Sequence, residues 1–328
     1  MQDMRHLVLH RSVWNKVLRW MVFALACAFL WSKLSDVQGT FAWGEHVRVT
    51  NGSAWLVLFV LALAWLNWGL EALKWRHLVA RVVRISYSRA FRATLTGTTI
   101  GLVTPNRTGE FLGRVSQLEP GQRTPAAVIG TLGGLAQLGV TVVAGLLGLV
   151  VMLGRGVPLP VDIQAIPLLA WEVALLVAIL GAVFLFTVGP AVWRSVLTSK
   201  RIASGLAVLR EVDAELCLTI ASLSFLRYLV FLLQFVLLLL AFDTGIPWHM
   251  ALSCVPVIFL VTTIIPTAVL TELGVRGSVA AAFLAPLAGD LIQVLMASFV
   301  LWVINLALPA LAGGVLLLGG DQRRVALA

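Results

Sequence analysis

The run Thr104-Pro105-Asn106-Arg107-Thr108-Gly109-Glu110-Phe111-Leu112-Gly113-Arg114 sets a proline and three charges in the middle of a largely apolar stretch from Ala90 to Leu118. A second run, Ile265-Pro266-Thr267-Ala268-Val269-Leu270-Thr271-Glu272-Leu273-Gly274-Val275-Arg276, interrupts the stretch from Trp248 to Ala288 between Pro266 and Glu272. The interrupted halves fall short of the roughly 20 apolar residues that a spanning helix needs, and suit a helix that enters the bilayer and turns back. Proline ends the incoming half because it lacks an N–H and clashes with the preceding turn.

Around these breaks the chain is a membrane protein by composition. It has 328 residues, 60% hydrophobic and 12% charged, against about 25% charged in a soluble domain. Full-length apolar segments run at about Leu18 to Leu34, Ala54 to Leu73, Ala126 to Leu153, Ile166 to Val188, Leu216 to Phe242 and Leu291 to Leu318. The basic N-terminal segment leads into an apolar run that ends at Trp31-Ser32-Lys33 without a small-x-small cleavage site, so it reads as a retained first helix rather than a signal peptide.

Charge placement orients the spans. Nineteen of the 24 Lys and Arg residues fall before the first span, between the second and third, between the fourth and fifth, or after the last, and the positive-inside rule makes that side the cytoplasm. The first interrupted stretch has basic flanks, whereas Asp243 and Asp290 flank the second. The expectation is therefore an all-α polytopic membrane protein, one membrane domain over residues 1–328, with six full spans and two opposed re-entrant hairpins. Both termini are cytoplasmic, as in a cell inner or plasma membrane protein.

Span, hairpin, span occupies residues 54–153 and recurs, inverted, over 216–318. This is the plan of many secondary transporters, whose sites lie where discontinuous helices meet. The alternative is a second hairpin that crosses fully, giving eight spans. Between the repeats, within residues 190–217, Ile202, Leu206, Leu209, Val212 and Leu216 recur at helical spacing among charges. They predict an amphipathic cytoplasmic connector.

The charges in the breaks carry the chemistry. Glu110 precedes Arg114, and Glu272 precedes Arg276, by four residues, which on a helix sets each pair on one face. Thr104 or Thr271 could cap the outgoing helix, whose N-terminal end favours an anion. Arg227 sits about ten residues from either edge of its span, too deep to snorkel easily, and so should face the interior, either toward a phosphate or Glu272 or onto backbone carbonyls alone. Gln137 and Asn305 read as hydrogen bonds between helices. Gly97 with Gly101, and Gly130 with Gly134, read as close-packing pairs. Cys27, Cys217 and Cys254 and the five histidines are scattered, with no CxxC, HExxH, P-loop or dinucleotide fingerprint. No catalytic residue, metal or cofactor is expected, and the net charge of +9 reads as topology rather than nucleic-acid binding.

The two runs resemble the signature segments of the lysylphosphatidylglycerol synthetase transmembrane, or flippase-like, region, and the resemblance extends from about Ala54 to Leu318. It implies a membrane domain that moves a lipid between leaflets. The soluble aminoacyltransferase domain of the synthetases is not expected after Ala328, and Thr267-Ala268-Val269 stands where those relatives are glycine-rich. The resulting expectation is a flippase-like transporter, not an enzyme, that binds an anionic phospholipid or polyprenyl-phosphate headgroup. Arg107, Glu110, Arg114, Arg227, Glu272 and Arg276 would form its site, with breaks at Thr104, Pro105, Pro266 and Thr271. Envelope lipid-synthesis enzymes are candidate partners. The rival readings are a non-catalytic scaffold for such enzymes, a small-solute or ion transporter, and an intramembrane lipid-modifying enzyme.

Overall fold

The computed structural model describes residues 53–102, 104, 107, 109–160, 205–265 and 272–319, with Met21. The segments Leu18 to Leu34 and Ile166 to Val188, both termini, Pro105, Pro266, Thr271 and the side chain of Glu272 lie outside the described residues. Among those described there are helices and no strand: α1 (Ala54–Val79), α2 (Tyr87–Leu102), α3 (Gly109–Val115), α4 (Pro120–Gly154), α5 (Ala214–Ala241), α6 (Trp248–Ile264), α7 (Glu272–Leu284), α8 (Leu291–Trp302) and α9 (Leu308–Gly319). A π-helical stretch, Val303–Ala307, joins α8 to α9.

Among the described residues four helices are long and apolar enough to cross a membrane: α1, α4, α5 and the continuous α8–α9 rod. They match four of the six expected spans, and the other two fall outside the described residues. Two boundaries differ from the sequence reading. Helix α1 does not stop at Leu73 but continues to Val79, because nothing in Lys74-Trp75-Arg76-His77 breaks a helix. Helix α4 begins at Pro120 rather than Ala126, since proline at the first helical position is pre-set for helix geometry.

Each interrupted stretch forms two helices that fold back on each other. In the first, α2 packs along α3, and a Cβ on Gly113 would lie 2.6 Å from the Cα of Gly97, so only glycine permits that approach. The outgoing arm is shorter than expected, seven residues in α3, because Pro120 starts a new helix so soon after it. The second pair is α6 and α7.

The two pairs open at opposite ends of the molecule. The base of the first lies where Arg89 donates to the Gln117 carbonyl (2.6 Å) and where Arg81, just past α1, meets Asp213 at the start of α5 (2.9 Å). The base of the second lies where Arg155, at the end of α4, donates to the His249 carbonyl (3.1 Å) and Gly289 N–H donates to the Thr244 carbonyl (3.0 Å). Helix α9 lies on α2, where Thr99 donates to the Ala310 carbonyl at 2.6 Å.

The connector is not one continuous helix over its described part. A 3-10 turn, Val208–Glu211, ends at Val212 in extended geometry. Asp213 then caps α5, its carboxylate accepting from Leu216 N–H at 2.8 Å. An Asp with a free N-cap role competes with the amphipathic period and breaks it. Val208 and Leu216 still pack together, against Leu78, Ile129 and Ile220.

Candidate functional site

Helix α1 supplies the site's floor. Asn67, Glu71 and Lys74 recur at four and three residues, a single helix face, and all three are buried. Burial of such groups is costly unless they are paired, and here they are. Lys74 Nζ lies 2.8 Å from Glu71 Oε2, and Asn67 donates to Asn305 Oδ1 at 2.7 Å.

Glu71 is shared by three cations from three helices. Arg114 Nη1, from α3, donates to Glu71 Oε1 at 2.8 Å, and Arg227 Nη1, from α5, lies 3.4 Å from Oε2. Arg227 also donates to Gln137 Oε1 on α4 (3.2 Å), and its guanidinium stands 5.5 Å from the Phe231 ring centroid. Gln137 therefore links α4 to α5, donating at 3.4 Å to the Ser224 carbonyl. Arg227 thus faces the interior, and its acidic neighbour is Glu71.

The first break adds the second carboxylate. Glu110 Oε2 accepts from Arg114 Nη2 at 3.3 Å across the i, i+4 spacing, and Glu110 Oε1 pairs with Arg107 Nη2. Arg107 holds φ at +56°, a left-handed conformation that costs on the order of 1–3 kcal/mol for a non-glycine residue. At this tip the strain turns the side chain back onto Glu110. The Thr104 hydroxyl accepts from the N–H of Gly109, first residue of α3, at 2.8 Å. Because α3 is so short and that N–H is occupied, side-chain charge rather than a helix end dominates the site.

Two cavities meet here. The smaller is lined by Glu71, Arg114, Arg227, Trp68, Thr94 and Thr98 among others. The larger has Arg107 and Arg276 against an apolar wall that includes Phe231, Phe259 and Leu306. Arg107 and Asn305 line both. The tip of the first pair thus shares a cavity with Thr262 near the end of α6 and with Arg276 of α7.

Of the residues singled out from the sequence, Arg107, Glu110, Arg114 and Arg227 form one connected set, and Arg276 faces the adjoining cavity. Glu71 and Lys74 were missed. The count of cytoplasmic charge by segment includes Lys74, Arg107 and Arg114, whereas all three belong to the ion-pair set. The signal that would have found the pair is the polar face Asn67, Glu71, Lys74 at the end of an apolar segment. Among the described residues no group of three or more metal-ligating side chains occurs.

These features define a polytopic helical membrane protein with a buried ionic site between two folded-back helix pairs. The chain belongs to the family of the lysylphosphatidylglycerol synthase TM region, whose family model matches residues 16–313. That membership makes it a membrane protein of lipid-related processes, in agreement with the resemblance carried by the two breaks. No curated protein and no solved structure gives a match.

Proposed function

We propose that the chain is a flippase-like lipid transporter, without catalytic chemistry of its own, that binds an anionic phospholipid or polyprenyl-phosphate headgroup. The carrying observation is a buried ion-pair set beside a cavity that pairs two arginines with an apolar wall. Charge of this kind inside a membrane costs on the order of 2.5–3.5 kcal/mol per group on insertion scales, which favours a functional reason for keeping it. The helix pairs opening at opposite ends support an inverted repeat, with re-entrant tips meeting near the midplane in the manner of transporters. On this reading Glu110 and Glu272 balance the arginines or carry protons, transport draws on gradients or equilibration, and both termini lie in the cytoplasm of an inner or plasma membrane. Envelope lipid-synthesis enzymes would supply or receive the lipid.

The test is reconstitution in proteoliposomes with a fluorescent anionic phospholipid, following its movement between leaflets. Wild type should move it. Glu272→Gln/Arg276→Gln should insert and stay folded, because no unpaired charge is left buried, yet lose movement. Arg276→Lys should be impaired, because a lysine cannot hold a phosphate bidentately. Unchanged transport by the double variant would sink the binding role.

A further inference from the structure

Glu71 does not hold its three cations equally. Lys74 Nζ and Arg114 Nη1 each lie 2.8 Å from its carboxylate, whereas Arg227 Nη1 lies at 3.4 Å. Side-chain exposure runs the same way, 3% for Lys74, 10% for Arg114 and 24% for Arg227. Arg114 is held by a second carboxylate, Glu110, at 3.3 Å; Arg227 leans instead on a neutral amide, Gln137 Oε1, at 3.2 Å. Of the three, Arg227 is the cation that charge holds least, and it lines the smaller cavity. Its Nε is buried and makes no hydrogen bond, so the guanidinium keeps a donor for an incoming acceptor. Gln137 is placed to keep Arg227 there. Its amide spans one turn of α5, Nε2 donating to the Ser224 carbonyl at 3.4 Å and Oε1 accepting from Arg227 three residues on. A carbonyl only accepts and a guanidinium only donates, so the amide fits in one orientation. A neutral acceptor orients the cation without cancelling its charge, whereas a carboxylate in the same place would hold it about twice as strongly.

Resting on the lipid-transport reading above, we propose that Gln137 is a positioning residue: it keeps the Arg227 guanidinium at the smaller cavity while that guanidinium exchanges Glu71 for the anionic headgroup. Lys74 and Arg114 stay on Glu71, so no buried carboxylate is left without a partner when Arg227 turns away from it. Phe231, whose ring centroid lies 5.5 Å from the guanidinium, backs the cation on its other side. The neutrality of residue 137 is what leaves Arg227 available, and Gln137 sets the affinity for the headgroup by acting through Arg227 rather than by touching the lipid.

Binding of dioctanoyl phosphatidylglycerol to the full chain in neutral detergent, read beside the melting midpoint, tests this. Gln137→Met removes the hold on Arg227 and should weaken binding about fivefold. Gln137→Glu keeps the hydrogen bond and adds charge to it, so it should melt no lower than Gln137→Met yet bind about tenfold or more below wild type. Stability and affinity then run in opposite order, which an amide that merely joins two helices does not produce. In an Arg227→Met background there is no guanidinium to position, so adding Gln137→Met should change the affinity by less than about twofold. Affinity that follows the melting order, or losses that multiply in the double variant, overturns the positioning role and leaves the transporter reading intact. If Gln137→Glu does not fold, the cycle of Gln137→Met with Arg227→Met decides alone. Failure of wild type to bind the lipid overturns the positioning role and the transporter reading together. Inorganic phosphate binding as tightly as phosphatidylglycerol makes the anion a free solute and overturns the lipid headgroup in the proposal.

Discussion

Glu71 is the residue on which the buried charges converge. Replacing it by Gln keeps the shape but leaves Lys74, Arg114 and Arg227 without their common carboxylate. Removing one partner of a buried ion pair costs about 3–5 kcal/mol, so Glu71→Gln should lower the thermal midpoint in detergent clearly. Glu71→Gln/Lys74→Met should recover a large part of that loss, and a double variant no better than the single would show that Lys74 is not the cation that matters. Gly113 is a steric counterpart: Gly113→Ala must push its Cβ away from the Gly97 backbone. Overpacking of that sort costs about 1–3 kcal/mol, readable in the same melt. The difference between these two residues explains what was legible in the sequence. The four-residue spacings of Gly97 with Gly101 and of Glu110 with Arg114 are local patterns, and helix geometry alone sets each on one face. Glu71 is matched by Arg114 and Arg227 from two distant places in the chain, and at the end of an apolar run a Glu followed by a Lys reads as the edge of a span.

At the scale of elements, the break between α2 and α3 and the start of α5 are each held by one side chain. Thr104→Val removes the acceptor for Gly109 N–H and should cost about 1 kcal/mol, with more exchange of the tip amides in deuterated buffer than elsewhere. Asp213 is held below its usual carboxylate range by the Leu216 N–H first and by Arg81 beside it. Its folded-state pKa is depressed, so its contribution is present above the unfolded value of about 3.9 and is lost as pH falls through the folded value. Asp213→Asn keeps a capping oxygen but has no proton to gain. The gap in melting midpoint between wild type and Asp213→Asn should therefore close as pH drops from 6 toward 3, and a constant gap would count against it. The breaks themselves could be read from Pro105 and Pro266, because proline acts locally. The short α3 and the early start of α4 could not, because they depend on how Pro120 competes with the preceding turn. The broken connector was hidden by Asp213, whose capping role overrode a regular apolar period.

Across the whole molecule, the two folded-back pairs give it two chemically different ends, one carrying Arg81, Arg89 and Arg123 and the other Arg155, Asp243 and Asp290. Single cysteines at Arg84 and Asp243, in a cysteine-free background, should react with an impermeant thiol reagent from opposite sides, Arg84 from the cytoplasm. Labelling of both from one side would break the arrangement. The buried ion-pair set also couples the molecule to voltage. Each elementary charge carried across a membrane potential does work of about 2.3 kcal/mol per 100 mV. Lys74→Met takes one such charge out of the set, so in vesicles clamped with a potassium gradient and an ionophore its transport rate should show a different slope in the logarithm of the rate against voltage from that of wild type.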